Sequence, residues 1–175
     1  MNSKSFELVL TKEADAHVIQ NLWPLYVQDI SAYDGAKPNQ HGVLVDDPAT
    51  RAWQGPGNWW NKPDVLFPYL ILVDGMPAGF NLVSSGPYIP TEGVDFTVHE
   101  FFVAHAYRGT GAAVWGAQAG INKHPGNWEV VTYPSALGPQ KFWRKTLPAI
   151  ASDGVTETEE DHPWGRKVVW RFRND

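Results

Sequence analysis

The chain has 175 residues, 43% hydrophobic and 19% charged, ordinary figures for one globular domain spanning residues 1–175 with a sizeable core. Its net charge is −5 with no basic block, which argues against nucleic acid, because a phosphate backbone is held by clustered Lys and Arg. Cysteine is absent, so disulfides, thiolate metal sites and a cysteine nucleophile are excluded; no apolar run could span a bilayer, and no membrane partner is expected.

The N-terminus, Met1 to Ser5, has no apolar signal core, and the expected location is the cytoplasm. Phe6 to Leu10 reads as the first strand. Thr11 is placed to cap the helix that follows, whose apolar face is Val18, Leu22 and Leu25. Pro24 has no amide to donate inside that helix, so a kink or division is expected, with a second piece from Leu22 to Ala32. Residues 33–65 show no period but several turn signals, among them Asp34-Gly35, Asp46-Asp47-Pro48 and Gly55-Pro56-Gly57. A connection this long is usually functional or partly disordered. Its Trp53, Trp59 and Trp60 either line a pocket or pin the loop to the domain.

Tyr69 to Val73 and Met76 to Val83 flank Asp74-Gly75, the strongest short hairpin signal. Val94 to Val103 is a strand that turns apolar and aromatic toward its end. Arg108-Gly109-Thr110-Gly111-Ala112-Ala113 then leads into a helix on which Val114, Ala117 and Ile121 share one face. Gly116 and Gly120, one turn apart, let that helix lie close to a sheet. Trp128 to Tyr133 is another strand, so the crossover is parallel. A short helix, Gln140 to Lys145, and a terminal hairpin, Val155 to Glu159 with Lys167 to Arg173, close the chain.

The glycine turn reads as an anion cradle. The first amides of a helix have no intrahelical partner, and the macrodipole adds partial positive charge there. Arg108 adds a formal charge and a planar donor fork. The turn fits neither the dinucleotide fingerprint, since Val114 stands at the third glycine position, nor a P-loop. Arg108, Gly111 and Ala113 do match Arg/Gln-x-x-Gly-x-Gly/Ala. With Tyr107 before the Arg, a strand ahead and a helix behind, this resembles the coenzyme A pyrophosphate loop of the GNAT N-acetyltransferase superfamily. Phe142-Trp143 before two basic residues is similar to that family's Phe-Tyr-x-Lys helix.

The resemblance implies an α/β fold with a mixed, mostly antiparallel central sheet and flanking helices. It implies transfer of an acetyl group from acetyl-CoA to the amine of a small molecule by direct transfer in a ternary complex, with no metal. A CoA-binding module with little or no transfer, and an acetyltransferase acting on a protein amine, are the alternatives. A homodimer is compatible with the sequence. Residues 108–113, that is Arg108, Gly109, Thr110, Gly111, Ala112 and Ala113, would hold the cofactor with Phe142. Main-chain groups of Phe101, Phe102 and Val103 would pair with the pantetheine arm where two strands part.

Glu100, a carboxylate on an apolar strand, is the candidate general base, because an apolar setting raises a carboxyl pKa toward neutrality. His99 points to the opposite face if the strand is regular, and His105 reads as a solvated or capping residue. The family's acid is often a Tyr in the final helix, and that position here is Trp143, whose indole cannot deliver a proton. Tyr133 is the candidate acid in its place. Asp29, Asp34, Asp46 and Asp47 could attract an ammonium group.

Overall fold

A computed structural model describes residues 4–44 and 57–175. Seven strands form one sheet in the order β1-β2-β3-β4-β5-β7-β6. They are β1 (Phe6–Leu10), β2 (Leu66–Val73), β3 (Met76–Ser85), β4 (Phe96–Val103), β5 (Gly126–Thr132), β6 (Val155–His162) and β7 (Gly165–Asn174). All neighbours are antiparallel except β4 and β5. The helices are α1 (Ala16–Asp34), α2 (Ala112–Ile121) and α3 (Leu137–Thr146).

The predicted hairpin stands. Asp74 (φ 51°) and Gly75 (φ 78°) both take the left-handed conformation that a two-residue turn of the I′ type requires. The predicted division of the first helix does not. Helix α1 runs unbroken through Pro24. Ile19, Trp23, Tyr26 and Val27 are buried against Leu66, Leu70, Phe80, Leu82 and Phe102. Pro24 lies on the exposed side, where water can reach the carbonyl that loses its partner, and tertiary burial outweighs the local penalty. The buried stripe is also rotated from the predicted one, since Leu25 is 52% exposed. Thr11 caps nothing. Its hydroxyl donates to the Pro68 carbonyl (2.8 Å) and accepts from Trp60 Nε1 (3.1 Å).

Helix α1 covers β2–β4 on one face, and α2 and α3 pack on the other. The predicted close approach of α2 is real. A Cβ built on Gly116 would lie 2.5 Å from Ile71 Cδ1, and one on Gly120 2.3 Å from Asn81 Nδ2. Asn81 Nδ2 donates to the Gly116 carbonyl (3.3 Å).

A tighter contact joins β3 to β4, where a Cβ on Gly79 would lie 2.1 Å from the Phe102 carbonyl oxygen. Neither atom has a rotamer through which to escape. Gly79→Ala is therefore expected to destabilise the fold by about 1–3 kcal/mol, read as a lowered urea midpoint at unchanged slope.

Candidate active site

Strand β4 is shared unequally by its neighbours. Toward β3 it is paired along its length, from Phe96↔Ser85 to Val103↔Gly79. Toward β5 it pairs only at Phe96↔Trp128, Thr97↔Glu129 and Val98↔Val130. Beyond Val98 the two strands part. The Ala104 amide donates to the Ala78 carbonyl (2.8 Å). Antiparallel pairing alternates, so Phe102 and Glu100 also turn their main chain toward β3. The main-chain groups of Phe101 and Val103 are therefore left on the open side. Phe102, expected to share that role, faces Phe80 across the β3–β4 pairing, and its side chain is buried against α1.

Past the end of β4 the glycine turn leads into α2. Gly109 (φ 77°) and Gly111 (φ 94°) are left-handed, a conformation that disfavours side chains. Nothing lies within 4 Å of a Cβ built on Gly109. Thr110 Oγ1 donates to the Tyr107 carbonyl (2.6 Å) and accepts from the Ala112 amide (3.4 Å), which tightens the turn. Among the described residues, the amides of Gly109, Gly111, Ala113 and Val114 donate to no protein group. Four such donors on a helix start, with no Cβ in front of Gly109, fit a pyrophosphate. The Arg108 fork is directed elsewhere. Its Nε donates to the Val103 carbonyl (3.0 Å) and its Nη2 pairs with Asp29. The guanidinium thus ties the loop to α1, and Asp29 is paired rather than free to attract an ammonium.

The strand is not regular at Glu100. The register with β3 shifts between Leu82↔Glu100 and Val83↔Val98, so His99 is the extra residue of a β-bulge. As a result His99 and Glu100 project to the same face, contrary to the expectation for a regular strand. His99 lies edge-on to Trp59 (5.4 Å) and Trp164 (5.2 Å), and its Nδ1 is 3.3 Å from Ser84 Oγ. Burial lowers its pKa, so the imidazole is neutral near pH 7. On the same face the Tyr26 hydroxyl donates to Glu100 Oε2. Desolvation pushes the Glu100 carboxyl up to about 8, against a smaller opposing effect of the Lys167 charge. These are the conditions of a base that titrates near neutrality.

Tyr133 follows β5 directly on the far side of the gap. Burial first, then the charges of Asp34 and Glu100, raise the pKa of its phenol, which stays protonated. The Lys167 ammonium stands 3.5 Å above its ring. Trp143, in contrast, is buried and packs edge-on against Phe101 (5.4 Å), while half-buried Phe142 stacks on Phe101 (5.6 Å, 16°). His105 sits in an exposed turn before the loop. Of the aromatic residues in the long connection, Trp59 reaches this face and Trp60 bonds to Thr11; Trp53, Asp46 and Asp47 lie outside the described residues.

Sequence reasoning missed a second buried carboxylate. Glu129 is fully buried and accepts from Thr91 Oγ1 (2.9 Å), from His162 Nε2 (3.0 Å) and from Arg171 Nε (2.8 Å). His162 Nδ1 accepts the Trp164 amide (3.1 Å), so the Nε2 of a neutral ring carries the proton. This network fastens the β6–β7 turn and holds Trp164 beside His99. The signal was present: Glu129 interrupts an apolar strand just as Glu100 does.

The split between two strands beside a glycine turn on a helix start defines the fold of the GNAT acetyltransferases. No family model and no curated protein matches the chain, but solved structures do. An acetyltransferase from Thermus thermophilus superposes with a TM-score of 0.61 at 14% identity, over 99% of both chains. An aminoglycoside acetyltransferase in complex with coenzyme A gives 0.61 at 18% identity, over 97% of this chain and 95% of that one. The PaiA N-acetyltransferase from Thermoplasma acidophilum, also in complex with coenzyme A, gives 0.60 at 9% identity, over 97% and 99%. The chain has the GNAT acetyltransferase fold along nearly its whole length.

Proposed function

We propose that the chain is an acetyl-CoA-dependent N-acetyltransferase acting on the amine of a small molecule by direct transfer. The observation that carries this reading is the end of β4–β5 pairing at Val98↔Val130. It leaves main-chain groups of Phe101 and the Val103 amide open on the strand that leads to the free amides of Gly109, Gly111, Ala113 and Val114. An extended pantetheine arm would add to β4 as a short strand, with its pyrophosphate on the helix start. The likeness to an aminoglycoside acetyltransferase at 18% identity supports the fold, and small amine acceptors are this reading's own extension of it.

Acetyl-CoA supplies an activated acyl group as a thioester. Glu100 takes the proton that the acceptor nitrogen must lose, and Tyr26 holds the carboxylate in place. An amide of Phe101 or Val103 donates to the acyl oxygen. The Tyr133 hydroxyl returns a proton to the departing sulfur, because Trp143 is packed away and cannot.

The test has two parts. Acetyl-CoA at 100 times its Kd is expected to stabilise the fold by about 2.7 kcal/mol, seen as a raised Tm. A panel of amines is then expected to release free thiol. No thermal shift would defeat the cofactor site, and a shift without thiol release from any amine would leave a binding module.

A further inference from the structure

Lys167, the third residue of β7, has a side chain that the other described cations do not resemble. Arg108, Arg144, Arg166, Arg171 and Arg173 each hold a carboxylate. Lys167 is only 7% exposed, yet among the described residues its ammonium makes no hydrogen bond and no ion pair. Its one close contact is the face of Tyr133, at 3.5 Å. Such a contact offsets part of the desolvation of a cation, but an ammonium has three donors; Nζ is not among the fully enclosed unsatisfied atoms, so it keeps some contact with solvent and its donors remain open to a ligand. Burial still lowers its pKa, against the opposing charges of Glu100 and Asp34.

Position gives this unpartnered charge a meaning. Tyr133 follows the strand that leaves β4, and Glu100 stands across the gap on the same face. Around the open side of β4 the proposed base (Glu100), a second carboxylate whose charge acts on Lys167 (Asp34, at the end of α1) and one largely buried cation with open donors are thus brought together. That is the complement of a zwitterion.

We infer that Lys167 is the anchor for a carboxylate on the acceptor, so that the amine acetylated belongs to an amino acid or a closely similar amino-carboxylate. The inference rests on the acetyl-transfer reading and narrows its substrate class. The acceptor's ammonium lies toward Glu100 and Asp34, and its carboxylate takes the donors of Lys167 above the Tyr133 ring. A neutral or purely cationic amine would leave those donors unmet.

The experiment compares pairs of compounds with the same amine: L-amino acids and their carboxamides, assayed by thiol release with wild type, Lys167→Met and Lys167→Gln. Thermal melts establish that each variant is folded. For at least one pair, wild type is expected to favour the acid by roughly 10- to 100-fold in kcat/KM, the value of a hydrogen bond to a charged group. In the folded variants that ratio falls to about one. A structural role for Lys167 would depress acid and carboxamide together and preserve the ratio, and that result overturns the inference. So does a wild-type ratio near one for every pair. If no compound releases thiol, transfer itself has failed. Calorimetric titration of the same acids and carboxamides into the CoA-bound protein then decides the anion site. Binding of the acid alone, lost on substitution, supports it; no binding, or binding indifferent to Lys167, removes it.

Discussion

Glu100→Gln is expected to lower kcat for amine acetylation by about 10²–10⁴-fold, the range of a positioned general base, while acetyl-CoA still raises the Tm. Glutamine keeps the shape and can still accept from Tyr26, so only the proton-accepting function is lost. Two pH profiles accompany the change. In wild type, kcat/KM should rise with pH through about 8, where desolvation places the Glu100 carboxyl. The variant should lack that limb.

Stability moves the other way. The folded state holds the Glu100 proton up to about 8, whereas the unfolded chain releases it near 4.5. The folded state thus binds more protons between those values, and its stability falls as pH rises across that window. The carboxamide of the variant has no proton to lose, so the stability of Glu100→Gln relative to wild type should increase from pH 5 to pH 9. A rate unaltered by the substitution would remove Glu100 from the chemistry. A slow variant with an unaltered difference in stability would mean that the carboxyl is not desolvated.

The second large effect belongs to the glycine turn. Gly111→Leu is expected to weaken acetyl-CoA binding by at least about 100-fold, or ~2.7 kcal/mol. The residue sits at φ 94° as the N-cap of α2, a conformation that costs a non-glycine roughly 1–2 kcal/mol. Relaxing it would turn the amides of Gly111, Ala113 and Val114 out of a common focus. Gly109→Val acts by a different route, placing carbon in the clear space before the loop. Calorimetry with acetyl-CoA measures both, and a melt without ligand separates loss of the site from loss of the fold. Tight binding retained by both variants would show that the pyrophosphate lies elsewhere.

Much of this was legible in the chain because it is local. An apolar strand, two glycines at a helix start and a helix with Gly116 and Gly120 on its packing side are properties of consecutive residues. So are the Asp74-Gly75 turn and the absence of a phenol at Trp143. The single carboxylate within Val98 to Val103 was enough to nominate Glu100. Expectations failed wherever a second element held the decision. Pro24 did not divide α1, because burial of Trp23, Tyr26 and Val27 is stronger than one missing hydrogen bond. Thr11 and Arg108 found partners on β2, β4 and α1 that nothing in their own segments announces.

The amino-acid sequence by itself determined most element types, the glycine turn at the helix start and the carboxylate proposed as base, since each follows from short-range periodicity, backbone freedom or a charge among apolar neighbours. Only the tertiary structure decided which groups meet. A bulge is a mismatch between two strands, so the shared face of His99 and Glu100 depends on β3. The opening beyond Val98↔Val130 depends on β5, and the unpaired ammonium of Lys167 depends on Tyr133, Glu100 and Asp34 converging from three distant segments. Electrostatic energy varies with distance and burial in space, and neither quantity is written along the chain.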